Sequence, residues 1–290
     1  MKTQNGFTLL NKNEIASYLA KQKVTRKITR LQVHHMDLPN YSTWEKTDKK
    51  VFDEPHFGRT QSLNDYGKKT WNYSDGHGHY IAQHFNVFPD GKITTGRNLN
   101  STPIGIRGWN DGAICIEIYG GFDKGKDKMT AAQKKAVIAL YGELCKRFDI
   151  PANTAHIRPH CWFTAGGSYL GKYNSSRSAK TCPGTNFWGV GCSPSGFNKF
   201  LADIKAYING KEAQASPADD KFKPYIAKVN TDGLNARKGP GSEHDIECVL
   251  NKGIAVTVVA EVKAKDGGTW CKCKAGYYTN KKYMEFVRYV

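Results

Sequence analysis

Four stretches of the chain hold side chains suited to metal-assisted hydrolysis. In QVHHM, His34 and His35 are adjacent, and on a strand successive side chains point to opposite faces, so only one of them can serve a given site. AHIRPHCWFT offers His156 and His160, which compete for a single role, and KTCPG follows with Cys182. A catalytic zinc takes three protein ligands from His, Cys and carboxylate groups and keeps one position open. Glu117 interrupts the apolar run AICIEIYG, where a carboxylate without a partner is costly to bury. Beside a metal-activated water it would act as a general base. Lys180 stands two residues before Cys182, and in an extended segment both side chains project to the same side, which sets an ammonium where an oxyanion could form. Taken singly, each residue also has an ordinary reading: a structural histidine, a strand-end carboxylate reaching solvent, a solvated lysine, a buried thiol.

These residues need rigid elements beneath them. NKNEIASYLAKQK has an Asn cap and helical apolar spacing, and ITRLQVHHMDL reads as a buried strand. IAQHFNVFPDGKITTGR predicts a hairpin turning at Pro-Asp-Gly, and AICIEIYG a central strand of nearly continuous apolar character. TAAQKKAVIALYGELCKRFDI predicts a helix with a Thr cap and Ala136, Val137, Leu140, Leu144 and Phe148 on one face; FNKFLADIKAYING predicts a closing helix. From Pro39 to Gly78 the pattern is irregular and reads as a long surface region. The expected fold is α/β, a mixed central sheet covered by helices, over residues 1–208. A polar, proline-containing linker is expected at 209–224, then a small all-β barrel at 225–290, built of short strands and turns.

The chain has 290 residues and a formal charge of +17, spread over both parts without a basic tail. Such a charge favours a polyanionic partner, either nucleic acid or an anionic bacterial envelope, and is equally that of a solvated basic surface. No groove-reading helix or basic aromatic face supports nucleic acid. No apolar run reaches 18 residues, and the N-terminus has only a short apolar patch, so neither a membrane span nor a signal peptide is expected. The eight cysteines are compatible with disulfides or with reduced thiols. Cys271 and Cys273, alternate residues of a strand-like run, read as two packed thiols.

In order, QVHHMDLP, IAQHFNVFPDGKITTGR, AICIEIYGGFD, PHCWFT and KTCPGTNFWG resemble the zinc-dependent N-acetylmuramoyl-L-alanine amidases, which include bacteriophage lysins and animal peptidoglycan-recognition proteins. The resemblance runs from about residue 28 to residue 190. It implies zinc on His34, His160 and Cys182, a catalytic glutamate at Glu117 and a catalytic lysine at Lys180. It implies cleavage of the amide joining N-acetylmuramic acid to L-alanine, by a lysin made in the cytoplasm and acting at the wall. An autolysin of the same activity, or a non-catalytic peptidoglycan-binding protein, is the alternative; non-catalytic relatives commonly lack the ligand at Cys182. Two departures stand out: Gln83 replaces a tyrosine many members carry before the His-Phe pair, and Cys161 replaces a common arginine. DGLNARKGPG and TWCKCKAGYY resemble a bacterial SH3 domain, which implies a wall-binding module.

Overall fold

The computed structural model describes residues 1–210, 222, 224–264 and 267–290. The chain divides into two compact units, Met1–Ala218 and Asp219–Val290. Of the expected linker at 209–224, residues 211–221 and 223 lie outside the described residues.

The first unit is built on seven strands: β1 (Lys2–Gln4), β2 (Phe7–Leu10), β3 (Arg30–His35), β4 (Phe85–Val87), β5 (Ile93–Thr95), β6 (Ala113–Ile118) and β7 (Ile157–Pro159). They form one mixed sheet in the order β1-β2-β5-β4-β6-β3-β7. β4, β6, β3 and β7 run parallel, and the hairpins β1–β2 and β4–β5 make the antiparallel half. The β4–β5 turn closes at Pro89-Asp90-Gly91, where Gly91 takes a φ of +83°. An Asn5-Gly6 turn with positive φ at both residues makes the first hairpin, which the apolar pattern alone did not suggest.

Both long helices follow their sequence signals. Thr130 caps Ala131–Phe148 by accepting the Gln133 N–H at 3.0 Å, and Asp149 ends it in the left-handed region. Its buried Ala136, Val137, Leu140 and Leu144 join Leu31, Val33, Ile114, Ile116 and Ile118 in one core. The helix Pro194–Ile208 starts from a Ser193 cap and adds Phe197, Phe200, Leu201 and Ile204 to that core.

The stretch Pro39 to Gly78 departs from expectation, because most of it is helical. Short helical turns cover Tyr41–Val51, and a full helix runs Pro55–Thr70. The buried side of that helix is Phe57, Thr60, Asn64 and Gly67. The spacing is helical, but only one of the four is a large apolar residue, so an apolar periodicity could not reveal it.

The second unit is all β. Strands β8 (Tyr225–Val229), β9 (Leu234–Arg237), β10 (Ile246–Leu250), β11 (Ala255–Lys263), β12 (Thr269–Cys273), β13 (Tyr278–Asn280) and β14 (Met284–Tyr289) form an antiparallel sheet ordered β10-β9-β13-β12-β11-β8-β14. Its core is small: Tyr225, Ala227, Val256, Val258, Cys271 and Cys273. Cys271 and Cys273 pack there as thiols, with the Tyr225 hydroxyl 3.5 Å from the Cys271 sulfur. All eight cysteines of the chain are unpaired. Among the described residues no helix is long and apolar enough to cross a membrane.

Candidate metal centre

The central strands alternate. On β3 and β6, Leu31, Val33, Ile114, Ile116 and Ile118 join the apolar core, while Gln32, His34, Cys115 and Glu117 occupy the other face. β6 therefore has a polar face, contrary to the nearly continuous apolar character read from the sequence. In the parallel register His34 lies opposite Glu117, so both side chains stand side by side on that face. β7 pairs with β3 up to Pro159 opposite Val33, and the next residue, His160, opens a short 3-10 turn. That register delivers His160 to the level of His34.

Cys182 arrives from a loop fastened at several points. Its carbonyl accepts the Cys161 N–H at 2.6 Å, which ties it to the residue after His160. Asp123 holds both flanks, accepting the Thr181 hydroxyl at 3.0 Å and the Thr185 N–H at 2.8 Å. Burial and then Glu117 push the Cys182 thiol well above its ordinary range, and the His35 N–H, which the sulfur accepts at 3.3 Å, acts in the opposite sense.

Three atoms surround the Nδ1 of His34: the Nδ1 of His160 at 3.2 Å, the Cys182 sulfur at 3.6 Å and a Glu117 carboxylate oxygen at 3.7 Å. His34, His160 and Cys182 form one cluster able to hold a metal; His34, Cys115 and Glu117 form a second that shares His34. A set of two imidazoles and a thiol suits zinc. The second carboxylate oxygen of Glu117 is enclosed without a hydrogen-bond partner, so one acceptor at the site remains for a ligand. The residues present fit a zinc ion with a carboxylate beside it.

The protein's own charges set the same stage. Burial lowers the pKa of His34 far below the usual imidazole range, and the titrating neighbour His160 and the Lys180 ammonium lower it further. His160 is pushed down to about 4 by burial and then by Lys180, so both imidazoles are neutral and ready to ligate at pH 7. Burial raises Glu117 to about 8, with Lys180 pulling the other way. Lys180 itself is exposed, and its charge also acts on Cys182. The structure thus brings His34, His160, Cys182 and Glu117 together, with Lys180 close enough for its field to reach all four.

The other candidates lie elsewhere. His156 donates its Nδ1–H to the Thr29 carbonyl at 3.0 Å and lies beside β7, one residue before it begins. His35 turns to the opposite side of β3, where its Nδ1 accepts the Phe122 N–H at 3.0 Å. Gln83 is buried and hydrogen-bonded to Asn86. Two residues of the polar face escaped the sequence reading, Gln32 and Cys115. Their signal was present: each lies two positions before a site residue on its own strand, and they are register partners.

Residues 24–185 match the protein-family model for N-acetylmuramoyl-L-alanine amidase, a span that includes every residue of the cluster. The chain belongs to this family. Among solved structures, an amidase endolysin, LysCS, from Clostridium intestinale is 22% identical, covering 63% of this chain and 85% of its own at a TM-score of 0.35. The LysC amidase of the same organism is also 22% identical, covering 65% and 91% at 0.35. Drosophila PGRP-LB is 16% identical, covering 56% and 78% at 0.38. These scores are low, and membership of the amidase family rests on the family model. Comparison with curated protein sequences gives no match.

Proposed function

We propose that the chain is a zinc-dependent amidase that hydrolyses the bond between the lactyl group of N-acetylmuramic acid and L-alanine of the peptidoglycan stem peptide. The observation that carries this is the convergence of His34, His160 and Cys182 around one nitrogen, with a partnerless Glu117 oxygen beside them, within the span matched by the family. His34, His160 and Cys182 would hold the ion. Zinc in such a site acts as a Lewis acid toward water and an amide carbonyl.

The chain's own groups do the rest. Glu117 accepts the proton of the attacking water and returns it to the departing alanine nitrogen; the Lys180 charge, and a cation held by the three ligands, would favour its ionised form against burial. Lys180 places its ammonium field on the oxyanion that forms at the carbonyl. The amide C–N bond breaks, leaving a lactyl carboxylate and a free alanine amine. Gln83 is buried where many members carry a tyrosine, which puts the acid–base work on Glu117.

The reading extends to an endolysin of phage or prophage origin acting at the bacterial wall, with the second unit an SH3-like module that holds it there. The experiment is a digest of purified walls assayed for new N-terminal alanine and for reducing sugars, with and without a chelator. The expected result is alanine amines that disappear with the chelator. Reducing ends without free alanine overturn the amidase, and activity that persists in the chelator overturns the zinc.

A further inference from the structure

Gln32 is fully buried on the site's face of β3, two residues before His34, and uses every hydrogen-bonding position of its side-chain amide. Its nitrogen donates to the Trp109 carbonyl at 2.9 Å and to Asn110 Oδ1 at 3.0 Å. Its oxygen accepts the Ile106 N–H at 3.2 Å and sits 3.1 Å from His34 Nε2. The orientation of this amide is settled twice: a backbone N–H can only donate, so it must meet the oxygen, and a backbone carbonyl can only accept, so it must meet the nitrogen. Asn110 is fixed in turn by accepting the Gly105 N–H at 3.1 Å.

With its oxygen held toward His34, Gln32 leaves that imidazole one choice. Nε2 must carry the hydrogen, and Nδ1 is left with its lone pair aimed at His160, Cys182 and Glu117. We infer that Gln32 is a positioning residue that fixes His34 in the Nε2–H form, and that the loop carrying Gly105, Ile106 and Asn110 exists in part to hold Gln32. The inference rests on the zinc reading above for its consequence, since only a ligand needs that lone pair. Gly105 supplies an independent mark of the arrangement: a Cβ there would lie 1.9 Å from the Gln32 oxygen, so a side chain at 105 is excluded by the contact that aims Gln32.

The test has two readouts that do not depend on turnover. The first is long-range proton–nitrogen NMR of the metal-free wild-type protein, where the His34 ring is expected to show a protonated Nε2. A protonated Nδ1 overturns the inference even where every variant fails to fold. The second is zinc affinity by competition with a chromogenic chelator. Gln32→Leu removes the acceptor and is expected to weaken zinc about 10–100-fold. Gly105→Ala displaces it and is expected to weaken zinc in the same direction. Gln32→Glu keeps an acceptor at His34 but loses the donors to the Trp109 carbonyl and Asn110 Oδ1, and is expected to lose less zinc affinity than Gln32→Leu. Equal losses in Gln32→Leu and Gln32→Glu would mark a merely structural residue, and wild-type affinity in Gln32→Leu would remove the role. Failure of the zinc reading is seen separately, as a wild-type protein that binds no zinc.

Discussion

In the first unit the central sheet turns polar side chains inward, with Gln32, His34, Asn86, Thr94 and Cys115 all buried. In the second unit apolar side chains also stay outside: Ile246, Val249, Phe286, Val287 and Tyr289 are exposed, and the main buried cluster has six residues. Each arrangement runs against the simple expectation that polar groups face water and apolar groups avoid it. Burying polar groups costs stability unless each is paired, and the first unit pairs most of them; among its described residues Arg26 Nη1 and one Glu117 oxygen are buried without a partner, and only the second of these lies at the site. Leaving apolar groups in water forgoes burial energy; Ile246 and Val249 lie on β10 and Phe286, Val287 and Tyr289 on β14, at the two ends of the strand order. The difference teaches that the buried polar groups suited to chemistry are concentrated in one unit, while the other leaves apolar strand residues exposed, which is in keeping with the wall-binding role proposed for it.

Breaking the first half of that comparison has the largest effect. His160→Ala and Cys182→Ser are expected to abolish stoichiometric zinc, read by metal analysis after dialysis, together with amide hydrolysis. His156→Ala should keep both, because its imidazole serves the Thr29 carbonyl. Loss of zinc in His156→Ala would reassign the ligand. Next in size is Glu117→Gln, which leaves the three ligands intact and is expected to keep zinc while lowering turnover about 10²–10⁴-fold. A loss of zinc in that variant would make Glu117 a ligand, along with the neighbouring Cys115 of the second cluster.

The second half is tested by separating the units. A chain ending at residue 210 should hydrolyse soluble muropeptides as the full chain does. On insoluble walls it should be roughly tenfold slower, since an attached module raises the local concentration of the site at its substrate. Equal loss on both substrates would give the second unit a role in the chemistry or in folding.

Much of this was legible before any coordinates, for definite reasons. The ligands sit on or beside strands whose period of two is visible in LQVHH, and the caps and apolar faces of both long helices are explicit in their letters. The helix Pro55–Thr70 was hidden because its inward row is mostly Thr60, Asn64 and Gly67. The Asn5-Gly6 turn was a readable hairpin signal that went unused. Gln32 could not be given a role from sequence, because its partners Ile106, Trp109 and Asn110 lie more than seventy positions away. Only the fold brings that loop over β3, and only the hydrogen-bond directions say which way the amide faces.

The smallest expected effect is a pH dependence that separates the units. In the metal-free protein His35 and His160 titrate near 4 and His84 near 3, and His34 is lowered as well, burial being the main cause in each. The unfolded chain protonates these residues near 6.5, so below that pH it binds more protons than the native state and stability falls with acidity. Each group contributes at most ~1.4 kcal/mol per pH unit. Glu117 acts in the opposite sense: with a native pKa of about 8 against an unfolded value near 4.5, it holds an extra proton in the native state, and stability falls as pH rises through that window. Between pH 4.5 and 6.5 the histidines outweigh Glu117, and between 6.5 and 8 Glu117 dominates, so the first unit should be most stable near pH 6.5; above pH 8 the thiols of Cys115, Cys145, Cys182 and Cys192, raised by burial, add a decline of the same sign. Among its described residues the second unit buries no histidine, and its transition should stay level between pH 5 and 7. Calorimetry of chelator-treated protein is expected to show one transition that moves, by about 2–4 °C per kcal/mol, and one that does not. In Glu117→Gln the decline between pH 6.5 and 8 should vanish while the acid decline remains. A decline that persists would show that Glu117 is already ionised in the folded, metal-free protein.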